Sequence, residues 1–192
     1  MNKSLKMILV LTIITIISGS VLSYWDSFTK PIINEYKTNK LDKLILEILP
    51  EHNSIEELQL GEHNLYIAKQ NEKKVGIAFK VEGGGYQDII AMIVGVTPDF
   101  SKITALKILS QKETPGLGTK IVEDPSNENP FWFTEQFKNV QLEPEIVYVK
   151  NEKPSKDNEI QAITGATISS KAVVNILNTN IEKVKKMYNE KQ

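Results

Sequence analysis

The densest cluster of reactive side chains is Ile163-Thr164-Gly165-Ala166-Thr167-Ile168-Ser169-Ser170, with four hydroxyls in seven residues around Gly165 and Ala166. A hydroxyl can hold a phosphate by hydrogen bonds or form an ester with it. Small residues beside it let a bulky ligand reach the main chain. Ala172, Val173, Ile176, Leu177, Ile181 and Val184 recur at helical spacing, which predicts a helix from Ser169 to about Met187. The hydroxyls therefore fall at a helix N-terminus, where free N–H groups and the positive dipole end favour an anion. A plainer reading also stands: Thr167, Ser169 or Ser170 is simply the helix cap.

A second unusual segment is Glu113-Thr114-Pro115-Gly116-Leu117-Gly118. Pro followed by Gly suits a tight turn. Gly116 and Gly118 expose backbone N–H groups, and Leu117 between them offers an apolar contact to a flat ligand. Its plainer reading is an ordinary strand-to-helix connection.

The composition excludes other chemistries. There is no cysteine, hence no disulfide, thiol nucleophile, Cys-ligated iron–sulfur cluster or Cys-type zinc site. His52 and His63 lie 11 residues apart in a polar stretch, a poor basis for a metal site. A hydrolase built on Ser169 or Ser170 would need a base, and neither histidine has an acid partner at a recognisable spacing. All 23 basic residues are lysine, so bidentate guanidinium clamps on phosphate are unavailable. With 24 acidic residues the net charge is −1, which argues against nucleic acid as a partner.

The elements that must position these segments follow from periodicity. Met7–Trp25 is 19 residues without a charge. As a helix it spans roughly 28 Å, close to the hydrocarbon thickness of a bilayer. Lys3 and Lys6 precede it, so the N-terminus is expected in the cytoplasm and residues from about 26 onward outside. Tyr24 and Trp25 sit where interfacial aromatics belong. The segment is read as a retained transmembrane anchor over residues 1–25, with a cleaved signal peptide as the competing reading. Residues 26–50 form a membrane-proximal helix, opened by Pro31 and closed by Pro50. Ile32, Ile33, Tyr36, Leu41, Leu44, Ile45, Ile48 and Leu49 form the face that docks on the domain.

Residues 51–192 form the extracytoplasmic domain. Leu65–Lys69, Val75–Val81, Ile89–Val96, Ile103–Leu109 and Ile146–Lys150 read as strands. Those from Val75 to Leu109 make an antiparallel meander interrupted by a flexible break at Gly83–Gly85. A short helix starts at Pro130-Phe131 and runs through Phe137, and Lys153–Glu159 is a polar loop. The fold class is α+β: a mainly antiparallel sheet packed with helices, preceded by one N-terminal transmembrane helix.

Taken together, the motifs make the chain recognisable. It resembles the FMN-binding domain family, and within it the G subunits of Rnf ion-translocating electron-transport complexes. The C subunits of sodium-pumping NADH:quinone reductases share the pattern but tend to be longer. The resemblance covers the anchor, the Gly85-Tyr86 turn with its Ile-rich strand, Glu113–Gly118, Phe131–Phe137 and Thr164–Ser170, which matches the family's (Ser/Thr)-Gly-Ala-Thr signature. It implies FMN joined to the Thr167 side chain by a phosphoester, attached by a flavin transferase with FAD as donor. It further implies that Glu113, Thr114, Gly116, Leu117 and Gly118 lie against the flavin. Thr164, Gly165, Ala166, Ser169 and Ser170 would surround its phosphate. Where the family pattern has aspartate, three residues before the signature, this chain has Gln161. The implied role is an electron-relay subunit in the cell membrane, partnered by other membrane subunits of an Rnf-type ferredoxin:NAD oxidoreductase. Such a chain is not a complete enzyme alone. The alternatives are a stand-alone exported FMN-dependent reductase and the C subunit of a quinone reductase.

Overall fold

Helix α1 spans Lys3–Ile48 in the computed structural model, which describes residues 2–191, side chains at 34 and 36–39 excepted. Its Lys3–Ile33 portion is long and apolar enough to cross a membrane, and its large apolar side chains are exposed. The expected start of a new helix at Pro31 does not occur: α1 runs through the proline. Proline removes one N–H and crowds the preceding turn. The carbonyl that loses its partner is that of Ser27, and one turn earlier the Ser27 and Thr29 hydroxyls donate to Ser23 O (3.0 Å) and Trp25 O (3.0 Å). Residues 1–40 and 41–192 form two units. In the first, Ile32 and Ile33 are exposed. The Tyr36 side chain lies outside the described residues. In the second, Ile45, Ile48 and Leu49 are buried, with Leu41 and Leu44 packed against them. Among the described residues, the docking face expected over residues 26–50 is formed by Leu41, Leu44, Ile45, Ile48 and Leu49.

The sheet of the second unit has five strands: β1 (Ser54–Leu60), β2 (His63–Gln70), β3 (Lys73–Gly84), β4 (Ile89–Val96) and β5 (Ile103–Ser110). They lie in chain order and all pair antiparallel. Side chains alternate between the two faces of a strand. Leu65, Ile67, Ile77, Phe79, Val81, Met92 and Val94 share the main core. Ala68, Ala78 and Ile93 face the opposite side and receive the end of α1. Small residues dominate that side because α1 comes close. A Cβ on Gly76 would stand 2.7 Å from Pro50 Cδ, and one on Gly95 would stand 3.3 Å from Ile48 O.

Helix α3 (Thr167–Lys191) covers the main core face with Val173, Leu177, Ile181, Val184 and Tyr188. Each such apolar side chain contributes about 1.5–3 kcal/mol by leaving water. Gly83 lets the helix approach, since a Cβ there would meet Ile176 Cγ1 at 2.7 Å. The chain between sheet and helix carries a 3₁₀ turn (Gly118–Ile121), α2 (Trp132–Glu135) and a parallel pair of short strands, β6 (Val147–Val149) and β7 (Glu159–Gln161).

The architecture is the expected α+β class, with local corrections. β1 and β7 were not expected. Helix α2 is one turn long because i→i−3 bonds take over after it, from Phe137, Lys138 and Val140 to Thr134, Glu135 and Phe137. Gly83 and Gly84 belong to β3, so the glycine run is no flexible break.

Candidate functional site

Helix α3 begins at Thr167, two residues earlier than the periodicity suggests. The preceding turn closes on itself: Ala166 N–H donates to Ile163 O (3.0 Å) and Ser170 N–H to Ala166 O (3.0 Å). Gly165 takes φ +82°, a left-handed conformation that favours glycine.

The four hydroxyls have separate fates. Ser170 is buried; its Oγ accepts from Ile163 N–H (3.0 Å) and donates to Ala166 O (3.1 Å). Ser169 is buried and donates to Glu113 Oε2. Thr164 is exposed and Thr167 half-buried. Among the described residues, neither threonine hydroxyl makes a hydrogen bond. Two hydroxyls therefore hold the turn in shape, and two remain available to a ligand.

The Glu113–Gly118 loop reaches the same place. Gly116 has φ +73° and donates to Thr119 Oγ1 (2.9 Å). Leu117 and Thr119 donate to Thr114 O, both at 3.2 Å. These bonds turn Leu117 outward, 47 % exposed. A Cβ on Gly165 would stand 3.4 Å from Leu117 Cδ2, so the two segments touch. Ile168, 59 % exposed, stands beside Thr167 on the helix. Gly118 is buried, and a Cβ on it would lie 2.7 Å from Glu113 Cβ and 2.8 Å from Ser169 Oγ.

Glu113 does not face outward as a ligand contact would. It is 3 % exposed, and Oε1 accepts from the backbone N–H groups of Tyr86 (2.9 Å) and Gln87 (3.1 Å). Its own N–H donates to Gln111 Oε1 (2.5 Å). The Gly85-Tyr86 turn, which the sequence marks without giving it a role in the site, takes part through the Tyr86 N–H together with that of Gln87. That glycine packs against Glu113 Oε1 and Ile90 Cδ1, where any Cβ would collide. At the rim, the Ile89 N–H and then Lys112 hold the Asp88 carboxyl below its usual range. Gln161, at the end of β7, has its backbone clasped by Gln136: its N–H donates to Oε1 (2.7 Å) and its carbonyl accepts from Nε2 (3.2 Å).

This arrangement offers two exposed apolar side chains, Leu117 and Ile168, with open glycine backbone and an unbonded hydroxyl at a helix N-terminus, a set that suits a phosphate attached to an apolar ring. Residues 85–182, which span all of these elements, match the FMN-binding domain. The chain belongs to the FMN-binding domain family.

The G subunit of the proton-translocating ferredoxin:NAD(+) oxidoreductase complex of Clostridium ljungdahlii is 30 % identical over 174 residues, 91 % of this chain and 88 % of that one. Its counterpart in the Na(+)-translocating complex of Acetobacterium woodii is 37 % identical over 119 residues, 62 % of this chain and 53 % of that one. Among solved structures, Shewanella oneidensis NqrC aligns with a TM-score of 0.54 at 22 % identity, covering 70 % of this chain and 65 % of that one. That last likeness places this FMN-binding domain chain in the same fold.

Proposed function

We propose that this chain is a membrane-anchored flavoprotein subunit that relays electrons through FMN, ester-linked to Thr167, within an Rnf-type ion-translocating ferredoxin:NAD oxidoreductase. The observation that carries the attachment site is the division of hydroxyls at the start of α3. Ser169 and Ser170 are buried and committed, whereas Thr167 is accessible, uncommitted and at the helix N-terminus. Relatives named as G subunits, one matched over nine-tenths of this chain, support the place in a complex.

The residues present fit the group. The N–H groups of the first helical turn and the dipole favour the phosphate without an arginine. Thr164 and Thr114 supply further hydroxyls, Gly116 and Gly165 allow close approach, and Leu117 and Ile168 shield one ring face. FMN, when bound, takes up electrons singly or in pairs and so links one- and two-electron carriers. The ester forms between Thr167 Oγ and the flavin phosphate of FAD; AMP leaves and the hydroxyl proton is released. A flavin transferase carries this out, and the covalent bond keeps the cofactor on a domain that faces dilute solution. The anchor places the domain outside the cell membrane with the N-terminus in the cytoplasm.

The test is covalent colour. The full chain expressed with a flavin transferase should fluoresce yellow-green in a denaturing gel and gain one FMN phosphoester in intact mass. Thr167→Ala should lose both. Fluorescence that survives in Thr167→Ala, or a colourless wild-type chain beside an active transferase, would overturn the assignment.

A further inference from the structure

The Glu113 carboxylate belongs to neither of the exposed groups that would touch a flavin, yet it joins every part of the site. We infer that Glu113 is a positioning residue: it fixes the turn that carries Thr167 before any cofactor arrives, so that attachment acts on an already folded site. The attachment half of this inference rests on the function proposed above.

Three segments distant in sequence meet at this one side chain. Oε1 takes the N–H groups of Tyr86 and Gln87 at 2.9 and 3.1 Å, from the turn between β3 and β4. Oε2 takes the Ser169 hydroxyl, from the first turn of α3. Glu113 itself opens the loop that bears Leu117. Among the described residues its three side-chain partners are all donors, so the carboxylate acts as an acceptor, and its burial keeps it from a ligand.

The packing around it leaves no slack. Gly85 and Gly118 both lie where a Cβ would run into Glu113, at Oε1 and at Cβ. Ser169 is two residues from Thr167 on α3, so tethering its side chain fixes the start of the helix. All of these partners are protein atoms. The turn is therefore held with Thr167 half-exposed and its hydroxyl uncommitted, ready to be modified. Burial makes the carboxylate hard to replace, since removing it strands two backbone N–H groups and a hydroxyl away from water.

The test compares Glu113→Ala, Glu113→Gln and wild type as full-length chains in detergent. One readout is amide exchange at Tyr86, Gln87, Ser170 and Lys171, with residues 92–94 of β4 as the reference. The other is the initial rate of FMN incorporation from FAD by a flavin transferase. In Glu113→Ala the site amides should exchange about tenfold faster while β4 is unchanged, and incorporation should slow by about tenfold. Glu113→Gln keeps an oxygen for the two N–H groups, and Ser169 can rotate to accept from its amide, so both readouts should return to within about threefold of wild type. Unchanged site exchange in Glu113→Ala, equal loosening of β4, or failure of Gln to restore would overturn the inference.

Should Glu113→Ala not accumulate, Ser169→Ala removes one contact only. It should loosen Ser170 and Lys171 and leave Tyr86 and Gln87 protected; uniform loosening, or none, overturns the inference. A wild-type chain that takes up no flavin would instead overturn the proposed function, and the exchange measurements would still decide whether Glu113 holds the turn.

Discussion

The hydroxyl cluster shows how burial divides chemically similar residues. Thr164, Thr167, Ser169 and Ser170 differ little in intrinsic reactivity, but Ser169 and Ser170 point into the protein and bond Glu113, Ile163 and Ala166. Gln161 raises a separate question, because the family resemblance implies aspartate at this position. Its backbone is held at both ends by Gln136, and among the described residues its side-chain amide makes no hydrogen bond. Exchange for aspartate breaks nothing in the protein and adds a carboxylate at a preset position. If the transferase reads that carboxylate, Gln161→Asp should speed covalent attachment by about tenfold, the equivalent of one weak hydrogen bond to a charged group. Single-time-point incorporation of FMN into both chains under limiting transferase measures it. Equal rates would mean that the enzyme does not use this position.

At the scale of elements, the turn between β4 and β5 carries a conformational cost that a surface aspartate offsets. Phe100 has φ +57° and is buried against Phe79 and Tyr188, an unfavourable backbone for a bulky residue. Asp99 beside it accepts from the Ser101 hydroxyl (2.9 Å) and N–H (3.2 Å). The hydroxyls of Thr97 and Ser101, then the Ser101 N–H, lower its carboxyl from the ordinary 3.8 to about 2. A group depressed on folding adds stability above its unfolded value and loses it as pH falls through the folded one. Wild type should therefore exceed Asp99→Asn in urea midpoint above about pH 4, and the gap should close toward pH 2. Asp124, lowered to about 2 mainly by the Ser126 hydroxyl, remains in both chains, so the difference isolates Asp99. A gap independent of pH would refute the link.

Most elements could be read from the sequence because their apolar patterns are local. The alternation in β3 and β4 and the helical stripe of α3 each lie within one segment. β1 escaped notice because Glu56 and Glu57 interrupt its apolar pattern, and an edge strand with one wet face tolerates them. β7 has three residues, too few for a period; only its parallel pairing with β6, legible within Ile146–Lys150, defines it. Likewise, the motif pointed to Glu113 but not to its role, because its partners come from positions 27 and 56 residues away. Proline is best tolerated in a first helical turn, so the sequence favours a new start at Pro31; α1 nonetheless runs through it.

At the scale of the whole molecule, the deciding question is which side of the membrane the redox site occupies. Charge at the two ends of the apolar span bears on it. Lys3 and Lys6 lie before it with no acid nearby, whereas Lys30 after it is paired with Asp26 at 2.5 Å. Positive charge flanking a span resists translocation, so the N-terminal side should stay in the cytoplasm. Residues 41–192, which carry the complete candidate site, are then expected outside, since a domain of that length translocates largely regardless of its own charge. Protease added to spheroplasts bearing the full chain, with an epitope tag before Lys3, should destroy residues 41–192 and leave the tag intact until the cells are lysed. Replacing Lys3 and Lys6 by glutamate should lower the exported fraction, since it removes the positive flank while leaving the apolar span unchanged. A protected domain with a digested tag would put the site on the cytoplasmic side, and the proposed covalent bond would then need a reason other than retention in dilute solution.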